Sequence, residues 1–470
     1  MRPLRVMASR TGAMLLALDL VVLAGAWPLL LWAVHGSHVV ELLLEPGLAP
    51  YPVAQIVLLY ALGLHRREAV LSTRSAVAKL PLVVALALPA AAAAQWAIDW
   101  IAAPAIRVDL SHLWAAAAVG FTLSGAIARL VLYLMLGRGV FRRRIMVIGA
   151  GRRARELLGM VAREGEDPHF DVVFVHEPAL GARDPELGRG PRQTVVVAAD
   201  SNYFNLAVAH DVDQIVVAPD ERRGMRLEKL LDCKKNGFPV VQHLAFVERE
   251  ARRVDLNWME LGWFLYSDGY RFGPIDRALK RVLDIVVSLV VLAFGAFLLV
   301  PAAIAVKLQD GGPVFYAQTR VTRGGRHFRI LKLRTMLVDA ERGGAVWAAA
   351  GDSRITRVGR FLRHSRIDEI PQLLNVLRGD MSLVGPRPER PEFIGELAEK
   401  IPLFEERLTV NAGLTGWAQI NYPYGASIED ARAKLGYDLY YVKNFSILFD
   451  LLILLQTLRV VLFPGAAGAR

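Results

Sequence analysis

Long apolar stretches separated by short polar ones fill the first 140 residues. Residues 13–34, 42–64, 80–98 and 113–136 are each apolar over about 20 positions, the length a helix needs to cross about 30 Å of hydrocarbon. Pro50 and Pro52 interrupt the second. Arg2, Arg5 and Arg10 precede the first stretch. Arg66, Arg67, Arg74 and Lys79 lie between the second and third, and Arg138, Arg142, Arg143 and Arg144 follow the fourth. The other two connections are poor in Lys and Arg. The pattern predicts a four-helix transmembrane bundle over residues 1–140, both ends cytoplasmic. The first stretch is too long for the apolar region of a signal peptide, and others follow it, so it reads as a retained helix. Asp19 and Arg129 fall inside spans, within about two turns of the cytoplasmic end, where snorkelling or pairing accommodates them.

The period then changes. Short apolar runs at 144–149, 171–176, 194–198, 214–218 and 239–242 alternate with helical stretches such as 227–235. This predicts a parallel sheet with helices on its faces, a Rossmann-like α/β domain over residues 141–250. Gly149, Gly151 and Ala154 fit G-x-G-x-x-A at the first strand-to-helix turn. There backbone N–H groups can hold a pyrophosphate, so Gly149 and Gly151 are candidate cofactor-binding residues. Glu177 lies 26 residues after Gly151 and either accepts a ribose hydroxyl or is simply solvated. Residues 251–279 read as a linker. Its Trp258, Trp263, Phe264, Tyr266, Tyr270 and Phe272 suit either a headgroup boundary or an ordinary domain contact.

A further apolar run, 282–306, is flanked by Lys280 and Arg281 before it and Lys307 after it. Positive charge at both ends argues against crossing, and Pro301 favours a kink. A bent helix returning to the same face and a straight fifth span both remain open on these residues. The apolar stretch 445–463, carrying Asp450 and Arg459, reads as an interfacial amphipathic helix or as a core helix. Residues 465–470 read as a disordered tail.

Composition sharpens this picture. Of 470 residues 54% are hydrophobic and the mean hydropathy is +0.34, high for a soluble protein. The net charge is +11. Its basic residues cluster beside apolar segments, not on a face with interleaved aromatics. That fits anionic lipid headgroups and excludes nucleic acid as the expected partner. Cys233 is the single cysteine, so no disulfide forms within the chain.

The chemistry gathers at SRIDEIPQLLNVLRGDMSLVGPRP, residues 365–388. Asp368 and Glu369 are adjacent carboxylates bracketed by Arg363, Arg366, Arg378 and Arg387. Helical neighbours point about 100° apart, so the two cannot share one role; Asp368, Gln372 and Asn375 share a face instead. Transfer from a diphosphate needs cations to offset charge. Lys332, Arg334, Arg363 and Arg387 can supply them. An aspartate is a competent nucleophile toward phosphorus, and Mg²⁺ takes one or two carboxylates while keeping waters. Asp368 is the candidate metal ligand. A DE pair by itself is more often a solvated helix start. His327 and His364 have no partner at metal-ligand spacing and read as surface residues. Trp417 and Gln419 either touch a nucleotide or pack.

Beyond the single pair, KRVLD (280–284), GPVFYAQTRVTRGGRHFRILKLRTM (312–336), RHSRIDEIPQLLNVLRGDMSLVGPRP (363–388), LTGWAQI (414–420) and YDLYYVKN (437–444) occur in order. Together these resemble the catalytic core of the bacterial sugar transferases, the monotopic polyisoprenyl-phosphate hexose-1-phosphate transferases. The preceding helices and α/β domain resemble the long, WbaP-like and WcaJ-like members. NYPYGASIEDA (421–431) resembles the exopolysaccharide subgroup associated with PEP-CTERM/exosortase systems. The resemblance implies a monotopic, α-rich phosphoglycosyl transferase domain over residues 280–464 with a re-entrant helix broken at Pro301, where Val300 stands in place of a frequent serine. It implies Asp368 as nucleophile, Glu369 as its assistant, and Lys332, Arg363 and Arg387 on phosphate. It further implies Mg²⁺ as cofactor, a UDP-sugar and undecaprenyl phosphate as substrates and membrane lipids as surroundings. The expected place is the cytoplasmic face of the bacterial inner membrane; self-association stays open. VNAG at 410–413 departs from the family's usual RPG or KPG and leaves the sugar open. The competing readings are a membrane-anchored, Rossmann-type oxidoreductase that modifies nucleotide sugars, disfavoured because residues 144–250 lack a Tyr-x-x-x-Lys dyad, and a non-catalytic scaffold.

Overall fold

The computed structural model describes residues 10–462 apart from 37–38, 66–72, 103–109, 139–141, 162–169, 191, 198–201, 260–268, 271–272, 339, 341–351, 424 and 426. The expected tail, most of the loop arginines before the third span, and Trp263, Phe264, Tyr266 and Phe272 lie outside the described residues. The chain folds as two compact units, Met1–Leu130 with Asp268–Arg470, and Val131–Ser267.

In the first unit, helices α1 (Arg10–His35), α2 (Pro50–Ala61), α3 (Leu80–Ala102) and α4 (Leu110–Gly137, of which the residues to Leu130 belong to this unit) make the N-terminal bundle. Leu23, Trp27, Leu31, Tyr51, Leu88 and Phe121 form its core, while Val21, Trp32, Trp96, Trp100 and Val119 are exposed on its outside. Three of the four expected spans are continuous apolar helices long enough to cross a membrane. The second is not. A short helix stops at Leu44, a 3-10 turn follows over Pro46–Leu48, and α2 restarts at Pro50 with 12 residues, about 18 Å. Pro46 and Pro50 each stand at the first position of a helical segment, where their missing N–H costs no hydrogen bond. Asp19 and Arg129 pair, as one reading held. Arg129 donates to Asp19 at 3.0 Å, and His65 lies 2.8 Å from the other carboxylate oxygen. All three are buried.

The second unit is a five-stranded parallel sheet in the order β3-β2-β1-β4-β5. Its strands are β1 (Arg143–Ile148), β2 (Phe170–His176), β3 (Gln193–Val197), β4 (Gln214–Val217) and β5 (Val240–Gln242). Helices α5 (Arg152–Val161), α6 (Tyr203–Ala209), α7 (Leu227–Lys235) and α8 (His243–Ala251) cover it, with an apolar cluster on each face. This is the doubly wound arrangement that the alternation predicts. Cys233 is buried in one of those clusters. Trp258, expected in the linker, belongs here: it stacks on Arg153 and donates to Glu156.

Back in the first unit, α9 (Pro274–Asp310) is a single 37-residue helix, about 55 Å long. It continues through Pro301, so the expected break is absent there; the ring removes one backbone donor without ending the helix. The hairpin β6 (Phe315–Val321) and β7 (His327–Leu333) follows. Next come α10 (Arg357–Ser365), α11 (Gln372–Arg378), β8 (Ser382–Val384), α12 (Pro391–Lys400) and β9 (Gly413–Thr415). The chain closes with α13 (Trp417–Asn421), α14 (Ile428–Lys443) and α15 (Ile447–Leu462). α15 is a core helix: Phe449, Asp450 and Ile453 are buried, and Gln456 donates to Tyr60 of α2 at 3.2 Å.

Candidate active site

The carboxylate pair sits at a reversal of the chain. Thr356 caps α10 by accepting from Gly359 N–H. Gly359 lies so close to the backbone of Thr335 that a Cβ there would meet the Thr335 carbonyl oxygen at 2.0 Å, so only glycine lets α10 reach the end of β7. α10 stops at Arg366, whose φ of 60° is left-handed, costing about 1 kcal/mol for a residue with a side chain. The turn drops the chain into a 3-10 segment, Ile367–Glu369.

Asp368 is 6% exposed. No hydrogen bond reaches it among the described contacts, and its Oδ1 is fully enclosed without a donor. Glu369 is the opposite. Its Oε1 accepts from Lys332 Nζ at 3.0 Å and from Arg387 at 3.2 Å, and Arg366 stands 3.8 Å from Oε2. Burial and the Glu369 charge push the Asp368 carboxyl up to about 6, against the pull of Lys332, Arg363 and Arg366. Burial would raise Glu369 too, but Lys332, Arg387 and Arg366 together hold it well below the usual carboxylate range. Burial also draws Lys332 down, with Glu369 opposing. Environments that separate two neighbouring carboxylates assign them different work. Glu369 is a fixed anion that organises cations; Asp368 is a poorly solvated oxygen available for bonding.

Lys332, Arg363 and Arg387 gather here from β7, α10 and the segment after β8. Arg363 Nε is tethered to Thr335 Oγ1 at 2.9 Å, and Arg387 also donates to Gln419 Oε1 at 3.0 Å. The expectation for Arg334 is not met: it is buried and paired with Asp310 at the end of α9, holding the helix terminus rather than joining the carboxylates. Arg366, bracketing the pair but given no role from sequence, belongs to the site; its i,i+3 spacing to Glu369 was the signal. His327 and His364 are exposed, and no cluster of three or more His, Cys, Asp or Glu side chains suited to a metal occurs among the described residues.

The G-x-G turn is filled from within. Asp220 accepts from the backbone N–H groups of Arg152 and Arg153, both at 2.8 Å, and a Cβ on Gly151 would collide with it at 2.1 Å. Its carboxylate takes the place where Gly149 and Gly151 were expected to admit a pyrophosphate. Glu177 is buried and accepts from Tyr203 at 2.5 Å, so it is neither solvated nor free for a ribose.

Residues 275–464 match the family model described as bacterial sugar transferase. The chain is 38% identical over 259 residues to a UDP-N-acetylgalactosamine-undecaprenyl-phosphate N-acetylgalactosaminephosphotransferase of Aeromonas hydrophila, covering 54% of this chain and 60% of that protein. It is 44% identical over 196 residues to a UDP-glucose:undecaprenyl-phosphate glucose-1-phosphate transferase of Caulobacter vibrioides, covering 40% of this chain and 73% of that one. A protein of the same name from Escherichia coli is 38% identical over 324 residues, 67% of each chain. With residues 275–464 matched by the family model and the Caulobacter and Escherichia relatives covered over two thirds or more of their length, the protein belongs to the bacterial sugar transferase family.

Proposed function

We propose that the protein transfers a sugar 1-phosphate from a UDP-sugar to undecaprenyl phosphate, releasing UMP and initiating exopolysaccharide synthesis at the cytoplasmic face of the inner membrane. The carrying observation is the Asp368 carboxylate, buried without a hydrogen bond beside a Glu369 already saturated with cations. An Asp368 oxygen attacks the sugar-bearing phosphorus. An acyl-phosphate bond forms as the bond to UMP breaks, and UMP leaves with the electron pair. A phosphate oxygen of the lipid then attacks the same phosphorus, and Asp368 departs as carboxylate. Poor solvation strengthens the nucleophile, and a carboxyl near 6 is mostly ionised at pH 7. Arg387 and Arg363, both part-exposed, fork onto phosphate oxygens; Lys332 balances Glu369. Mg²⁺ suits the donor-free Asp368 oxygens, which with water and substrate phosphate make a hard-oxygen set, and it would offset charge on the diphosphate.

The membrane seating rests on α9. Its first half is bound to the catalytic domain by polar anchors. Lys280 donates to Asp450 at 2.5 Å, Arg281 to the Val376 carbonyl at 2.6 Å, and Asp284 accepts from Ser382 and from Leu383 N–H, both at 3.0 Å. Its second half buries Ala302 and Val306 against Leu333 and Leu362. Away from these contacts the helix exposes Leu289, Phe294, Phe297 and Ile304. An unbroken helix held at both ends by one water-facing domain keeps both ends on one side of the membrane and lies along its surface with the apolar side chains in lipid. Cysteines placed at 279 and 311 should be labelled from the same side; labelling from opposite sides rejects this seating.

The decisive test of the chemistry is donor alone: wild-type protein should release UMP and gain the mass of a sugar phosphate on Asp368, and Asp368→Asn should do neither. An active enzyme modified elsewhere would overturn the assignment.

A further inference from the structure

Gln372 is the second residue of the site whose polar atoms have no partner. It is 3% exposed, and its Nε2 is enclosed without an acceptor. The backbone continues helically from the 3-10 turn through Ile370 and Pro371 into α11, so Gln372 follows Asp368 by little more than one turn and shares the face of α11 that carries Asn375. Asn375, three residues further along that face, shows what a purely structural amide does here. It accepts from Leu331 N–H at 3.0 Å and donates to the Arg329 carbonyl at 2.9 Å, pinning α11 to β7. Gln372 does nothing of the kind. Its neighbours Leu373 and Val376 are buried and apolar, and a buried amide with nothing to bond is destabilising. Gln372 is thus placed between a pinned amide and an unpartnered nucleophile, with its own donor unused.

We infer that Gln372 is a further substrate-binding residue, whose Nε2–H donates to a non-bridging oxygen of the phosphoryl group while that group is transferred to and from Asp368. The inference rests on the transferase reading above and deepens it. A neutral amide suits this place: it recognises a phosphoryl oxygen without adding a cation that would compete with Lys332 and Arg387 for Glu369. The bond to an anionic oxygen is charge-assisted and strengthens as charge builds on the equatorial oxygens. Gln372 takes and gives no proton.

The test uses the full chain in lipid nanodiscs with UDP-glucose or UDP-N-acetylgalactosamine, whichever the wild type turns over. Gln372→Met keeps the length and removes the donor. It should melt at or above the wild-type temperature, because an unpaired buried amide has gone. The rate of the donor-alone UMP burst should fall about 10- to 100-fold with burst amplitude and donor KM nearly unchanged. Gln372→Glu, a like charge beside Asp368, should slow the burst further and move its acid limb to higher pH. A burst at the wild-type rate in Gln372→Met overturns the inference, as does a loss of rate that tracks a lower melting temperature and a smaller burst. Absence of UMP release by the wild type would instead defeat the transferase reading, and the inference with it.

Discussion

Asp368 and Glu369 are adjacent and chemically alike, yet their surroundings divide them. Because the Asp368 carboxyl is pushed up to about 6 and Glu369 stays ionised throughout, kcat/KM for the donor should fall about tenfold per pH unit below pH 6. Glu369→Gln removes the negative neighbour, so the residual activity should have its acid limb at lower pH. Stability follows the same titration. A carboxyl raised from 3.8 to about 6 favours the folded state fully below pH 3.8, and that contribution is lost as pH rises through 6. Asp368→Asn keeps it at every pH. The variant should be inactive yet more stable than wild type above pH 6, by on the order of 3 kcal/mol, with the two converging near pH 4; thermal melts across pH check this. The DE pair was legible in the sequence. The split between its members was not, because Lys332 and Arg387 reach Glu369 from 37 and 18 residues away, and Asp368 is distinguished only by having no such visitor.

The helix α9 is longer than its apolar run. Hydropathy marks 282–306, but the helix spans Pro274–Asp310, since Lys280, Arg281 and Asp284 find partners in the catalytic domain and Lys307 and Asp310 cap the far end. Those partners are remote in sequence, so periodicity could not show them. The short helices around Pro46 and Pro50 illustrate the converse: hydropathy averaged over 42–64 hides a backbone break that the prolines impose. Lys280 and Asp450 form a largely buried pair, with Tyr441 donating to the other carboxylate oxygen at 2.8 Å. Lys280→Met strands a buried carboxylate and should cost about 3–5 kcal/mol, read as a lower melting temperature with loss of activity. The double variant Lys280→Met with Asp450→Leu should recover much of it.

Two units built on different rules share one chain. The parallel sheet of Val131–Ser267 was legible because strands alternate with helices along the sequence; its strand order was not. Its closed turn was not, since Asp220 lies far beyond the G-x-G motif it fills. Asp220→Ala should loosen β1 and α5 by about 1 kcal/mol, seen as faster amide exchange there in the full chain, with donor-alone UMP release unchanged.

The anchoring of α9 also sets an order of events during synthesis. Lys280 waits for Asp450, 170 residues later, and Arg281 waits for carbonyls at Val376 and Leu377. A ribosome delivers the apolar helix well before any of these exist. On the proposed seating, lipid is its first companion, and the catalytic head assembles afterwards around a helix that the bilayer already holds.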